Sequence, residues 1–182
     1  MKPELVKMGY AVELFMDDEQ AVRIIQAFEI TDSILLKIGA SPHIALALFD
    51  EVDITLLCDI VSAFVQGVKP IKLRFGSIGI FPGNENTLFL APVVTRELLA
   101  LHHTLHKRLG ENNLQGSPLY HPGSWVPHLT ITMEEPWDEC IKNLELIRSL
   151  ELFDDYLFNR MDIVEFRPVK KIAEFKLGQG CT

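Results

Sequence analysis

The feature that most constrains this chain is a stretch of pattern that occurs twice. SPHIALALFDEVDITLLCDIVSAF starts at Ser41, and VPHLTITMEEPWDECIKNLELIRSL starts at Val126. Each runs through Pro, His, alternating residues, an acidic turn and then an amphipathic helical pattern. The two histidines, His43 and His128, stand nearly half a chain length apart. Two related halves, each with one histidine on a strand, predict two equivalent histidines placed across a single cleft.

The rest of the chain alternates in the same way. Residues 8–16 read as a strand and residues 17–28 as a helix opened by acids. Residues 42–49 form a short apolar strand, and Asp53 is placed to cap a helix reaching about Gln66 before Gly67 and Pro70. Residues 71–81 and 87–93 read as strands joined across Pro82, Gly83 and Asn84. A helix over residues 95–109 is bounded by Thr95 and Gly110. Residues 111–126 carry two prolines and two glycines and form the longest loop, a place where functional side chains are expected. A strand over residues 127–133, a helix over residues 137–150 and closing strands over 161–166 and 171–177 complete the reading. No low-complexity segment divides the chain, so 1–182 is expected to form one domain with two lobes.

Composition narrows the class. Hydrophobic residues make up 48% of the chain, enough for a core, and the formal net charge is −8. An acidic protein is poorly suited to duplex DNA, which needs a basic face, but a local pocket for a nucleotide or an RNA end stays open. Cys58, Cys140 and Cys181 are odd in number and widely spaced, which predicts neither a disulfide framework nor a zinc cluster and points to a cytoplasmic protein. The one apolar run near the start is broken by Glu13 and is too short for a membrane span.

The chemistry follows from strand geometry. Residues i and i+2 share a face, so His128 and Thr130 project together. In-line cleavage of a phosphodiester needs one group to take the nucleophile's proton and a second to protonate the leaving oxygen. Imidazoles titrate near neutrality and serve either role. His102, His103 and His106 lie on the helix over residues 95–109; with no third ligand evident, a solvated helix face accounts for them better than a metal site.

At these residues the chain resembles the two-histidine (2H) phosphoesterase superfamily, whose signature is a pair of His-x-Ser/Thr-x motifs on strands. More narrowly it is similar to bacterial 2'-5' RNA ligase-like proteins, on the strength of SPHIALALFD, GSIGIFPGNENTLFLAPVVTRELLALHHTLHKRL and YHPGSWVPHLTIT. The resemblance implies an α+β, pseudo-symmetric, two-lobed fold with antiparallel sheets around a central cleft. It also implies metal-independent cleavage of 2',3'-cyclic phosphates or 2'-5' linkages at RNA ends or nucleotides, by a monomer without a cofactor. The motifs map onto His43 and His128 as catalytic residues and Thr130 as a phosphate-binding hydroxyl. Tyr120 and Trp125 in the long loop, and Phe81 at the end of its strand, are candidates to meet a base or ribose, with packing as their alternative role. The first motif departs from the pattern, because Ala45 stands where Ser or Thr is expected. That departure supports an alternative, a non-catalytic module that binds a nucleotide or RNA end.

Overall fold

The computed structural model describes residues 9–83, 86–166 and 168–178. Met8, Asn84, Arg167 and Cys181 therefore lie outside the described residues, while Cys58 and Cys140 are free thiols. Elements follow in the order β1 (Gly9–Met16), α1 (Asp18–Ile30), α2 (Ile34–Lys37), β2 (His43–Phe49), α3 (Ile54–Val65), β3 (Ile71–Phe81), β4 (Asn86–Pro92), α4 (Arg96–Glu111), a 3-10 turn (Pro118–Tyr120), β5 (Leu129–Glu135), α5 (Trp137–Ile147), β6 (Asp155–Phe166) and β7 (Lys170–Lys176). This is the expected α+β architecture: two runs of strand, helix, strand, helix, strand, with the short α2 added to the first run and β7 appended.

All strand pairs are antiparallel, in the order β2-β1-β6-β3-β4-β5, with β7 also on β6. Period-2 alternation sorts each strand between two faces. Val12, Leu14, Ile44, Leu46, Met161, Ile163, Leu129 and Ile131 enter the hydrophobic core. The intervening residues Ala11, Glu13, His43, Ala45, Thr130 and the preceding His128 line a cavity on the other face.

Caps set the helix starts. Asp17 accepts from the Glu19 amide, Asp53 from those of Thr55 and Leu56, and Thr95 from that of Leu98, so three orphan helix ends are satisfied. Gly110 does not end α4 as its composition suggests; the helix runs on to Glu111 and Asn112 caps it. The reversal occurs at Asn113, at φ 58°, where the Leu114 amide bonds back to Leu109. Strand β6 starts at Asp155, six residues before the expected Met161, because Tyr156 and Phe158 already alternate inward. The short α2 is absent from the sequence reading, since four residues carry no periodicity.

Ser33 ties α2 to the second half of the molecule. Fully buried, it donates to the Ile131 carbonyl at 2.7 Å and accepts from the Leu35 amide. Ser33→Ala leaves the buried Ile131 carbonyl without this donor and α2 without its cap, an expected loss of about 1–3 kcal/mol. Urea unfolding checks this: the midpoint falls while the slope is unchanged.

Candidate active site

Both histidines are oriented by the same local device. Pro42 and Pro127 force the preceding residues, Ser41 and Val126, away from helical geometry. Their carbonyls then accept from the ring of the following histidine: Nδ1 of His43 donates to Ser41 at 2.8 Å, and Nδ1 of His128 donates to Val126 at 2.7 Å. A carbonyl only accepts, so each Nδ1 holds a proton and Nε2 is the nitrogen left for chemistry. Each ring also rests on a phenylalanine, His43 on Phe15 at 5.6 Å and His128 on Phe89 at 5.5 Å between centroids.

The two rings line one cavity of about 240 Å³, together with Glu13, Ala45, Tyr120 and Thr130. Leu35, Ile38, Met133, Phe166 and Val169 make much of the remaining wall apolar, and among the described residues no lysine or arginine lines it. Burial lowers the His128 pKa, and the nearby His43 lowers it further against the opposing effect of the Val126 hydrogen bond.

Glu13 is the residue that the sequence reading missed. It stands directly across from Ala45 on the neighbouring strand, and its carboxylate reaches Nε2 of His43 at 3.2 Å. Its burial raises its pKa, with His43 opposing that effect. The available signal was a lone carboxylate inside the apolar run YAVELFM.

The candidate substrate-contacting aromatics are distributed differently. Tyr120 lines the cavity, and burial followed by the nearby Glu13 raises its pKa. Trp125 stacks on His102 at 3.9 Å with the planes 7° apart, and its indole N–H donates to the Ala45 carbonyl. Phe81 stacks on Phe89 at 4.2 Å and presents its ring edge-to-face with His128 at 4.9 Å, bracing that imidazole. Neither Trp125 nor Phe81 is part of the cavity wall among the described residues.

Two of the helix histidines, His102 and His106, differ from the expected solvated face, while His103 is exposed. His102 is 2% exposed, and its Nε2 donates to the Tyr120 carbonyl; Nε2 of His106 donates to Leu46. With Ser117 bonded to Leu48, these contacts cover the open edge of β2 with the long loop and fix Tyr120 in place. Gly116 is required there, because a Cβ would collide with the Leu48 carbonyl oxygen. Among the described residues no group of three or more His, Cys, Asp or Glu side chains is arranged to hold a metal ion.

A family model described as the 2'-5' RNA ligase superfamily matches residues 19–161. The chain belongs to that superfamily. Solved structures of the same fold include TT0787 of Thermus thermophilus, with 14% identity, a TM-score of 0.64 and coverage of 96% of this chain and 100% of that one. E. coli LigT complexed with 3'-AMP gives 12% identity and a TM-score of 0.59, covering 94% and 98%. A structure described as a phosphoesterase gives 14% identity and 0.62, covering 94% and 99%. No curated protein matches the sequence at a significant level. The superfamily match starts after Glu13, so the carboxylate beside His43 lies outside the matched segment.

The Trp125–His102 stack makes the loop's anchorage observable. Burial and the neighbouring His106 push the His102 pKa down to about 4. A protonated imidazole quenches indole fluorescence, so in a Trp137→Phe background the emission of Trp125 should fall with a midpoint near pH 4. Circular dichroism over the same range separates this from unfolding, and a midpoint near an ordinary histidine value of about 6.5 would show the ring to be solvated.

Proposed function

We propose that this chain is a phosphodiesterase that opens a 2',3'-cyclic phosphate, or cleaves a 2'-5' linkage, at a nucleotide or RNA end. One observation carries the reading: two imidazoles with the same tautomer and the same backbone anchor line a single cavity beside the Thr130 hydroxyl. In hydrolysis of a cyclic phosphate, one imidazole takes a proton from water as the water oxygen bonds to phosphorus. The other gives a proton to the ribose oxygen as its bond to phosphorus breaks, leaving a phosphomonoester. The two rings complete both proton transfers, so the step as written calls for no metal.

The cavity supports a singly charged substrate. Its wall carries no Lys or Arg among the described residues, and its acidic group is paired with His43. A diester monoanion loses less on entering such a site than a monoester dianion. At about 240 Å³ the cavity is small beside the roughly 300–1,000 Å³ of many ligand pockets, which suits a phosphate and its ribose better than a length of strand. LigT has been crystallised with 3'-AMP, ATP, NADP+ and phosphate, which favours a nucleotide ligand for the shared fold. We place Tyr120 at the mouth of the ribose site and assign Phe81 and Trp125 to bracing roles. A monomer in the cytoplasm fits this reading.

The test is hydrolysis of a 2',3'-cyclic nucleotide in excess chelator. His43→Ala and His128→Ala should each lower the rate by about 10²–10⁴-fold. Thr130→Ala should cost roughly two- to thirtyfold in kcat/KM, and Ala45→Ser should restore part of a hydrogen bond at the first motif. A wild-type rate that needs divalent ions, or that survives His128→Ala, overturns the mechanism. An inactive protein that still binds a nucleotide supports the binding-module alternative that Ala45 suggests.

A further inference from the structure

The two motifs are alike in their backbone and differ in the residue two positions after the histidine and in the residue opposite it. Beside His128, the strand residue opposite Thr130 is Phe89; beside His43, the residue opposite Ala45 is Glu13. Ala45 has no side chain beyond Cβ, and the Glu13 carboxylate approaches His43 on the cavity side. Both nitrogens of His43 consequently face acceptors, the Ser41 carbonyl at Nδ1 and the carboxylate at Nε2. A contact of 3.2 Å between Nε2 and a carboxylate oxygen requires a proton between them, carried either by the ring or by the acid. His128 has no such partner at Nε2 among the described residues: its neighbours are the rings of Phe81 and Phe89.

We infer that Glu13 and His43 share one proton and act together as the acid of this site, which leaves His128 as its base. The inference rests on the hydrolytic reading and assigns its direction. His128 takes the proton from water, and the Glu13–His43 pair supplies one to the departing ribose oxygen through Nε2. Afterwards the pair is one proton short and His128 holds one in excess, so a net proton transfer to solvent and back resets the site. Glu13 is a positioning residue in this scheme, since it acts through His43.

The surroundings suit that role. On the strand beyond β1, Asp162 lies directly opposite Glu13, almost wholly buried, with Arg160 Nε at 3.2 Å from its Oδ2. Burial raises the pKa of Asp162 to about 6, with Arg160 opposing and Glu174 and Glu13 adding to the rise. Lys171 is paired with Glu174 at the edge of the same sheet. From the loop side, Tyr120 faces Glu13, and His128 faces His43. Burial of Glu13 opposes its ionisation, which favours retention of the shared proton.

The experiment combines proton NMR of the exchangeable ring protons with the pH dependence of kcat/KM for a 2',3'-cyclic nucleotide, in wild type, Glu13→Gln and Glu13→Met. Glutamine keeps the shape but not the acid; methionine suits the apolar strand and guards against misfolding. The expected result is a downfield resonance in wild type for the proton between His43 Nε2 and the Glu13 carboxylate, lost in Glu13→Met, with the alkaline limb of the rate profile lower in both variants. The acid limb should move by much less. If wild type shows no such proton, or Glu13→Met keeps it, the inference is overturned. If the proton is found and lost as expected while neither wild type nor variants turn over substrate, the shared proton stands and the hydrolytic reading fails.

Discussion

The site depends on a short splice between the two halves of the sheet. Ile71–Arg74 of β3 pair with Asp155–Phe158 of β6, and no other strand pairing joins β1, β2, β6 and β7 to β3, β4 and β5 among the described residues. The splice is held by burial. Phe75 packs on Tyr156 at 5.3 Å and on Phe158 at 6.5 Å, and all three rings are almost completely excluded from water. The Arg74–Asp155 ion pair at its rim is exposed and adds little. Continuing the sheet through this ladder, with the usual right-handed twist, brings its terminal strands β2 and β5 near one another. His43 begins β2 and His128 immediately precedes β5, so the splice is what places them in one cavity.

The two imidazoles then acquire unlike surroundings. His128 is pressed among aromatic rings, which disfavours its charged form. His43 faces a carboxylate that the fold has withdrawn from water. A carboxylate in an apolar strand opposes folding unless it is protonated or partnered. Glu13 has a partner in His43, and the cost of burying it is reduced at the place where proton transfer is proposed. Perturbed carboxylates of this kind are enriched at functional sites.

Much of this was legible beforehand because it is local. Period-2 alternation, the caps Asp17, Asp53 and Thr95, and the Pro-His pairs act over a few residues, and they located most strands and helices. Where local signals are weak or compete, tertiary contacts decide. Gly110 resembles a helix stop, but Asn113 turns the chain instead. His102 and His106 share a helix face whose composition looks solvated, yet the loop folds over them because Trp125 stacks on one and the β2 carbonyls accept from the other and from the indole.

The sequence by itself determined the repeated Pro-His strands, the α+β alternation and the family, since each is written in residues close together along the chain. Tertiary structure alone decided which residues surround those histidines. Strand register sets Glu13 opposite Ala45 and Asp162 opposite Glu13, joining residues far apart in the chain. Register also turned Phe81 onto His128, while side-chain hydrogen bonds turned Trp125 away from the cavity and left Tyr120 within it. These are pairings across strands and between a loop and an edge, fixed by what the whole sheet buries, and no periodicity within a single segment encodes them.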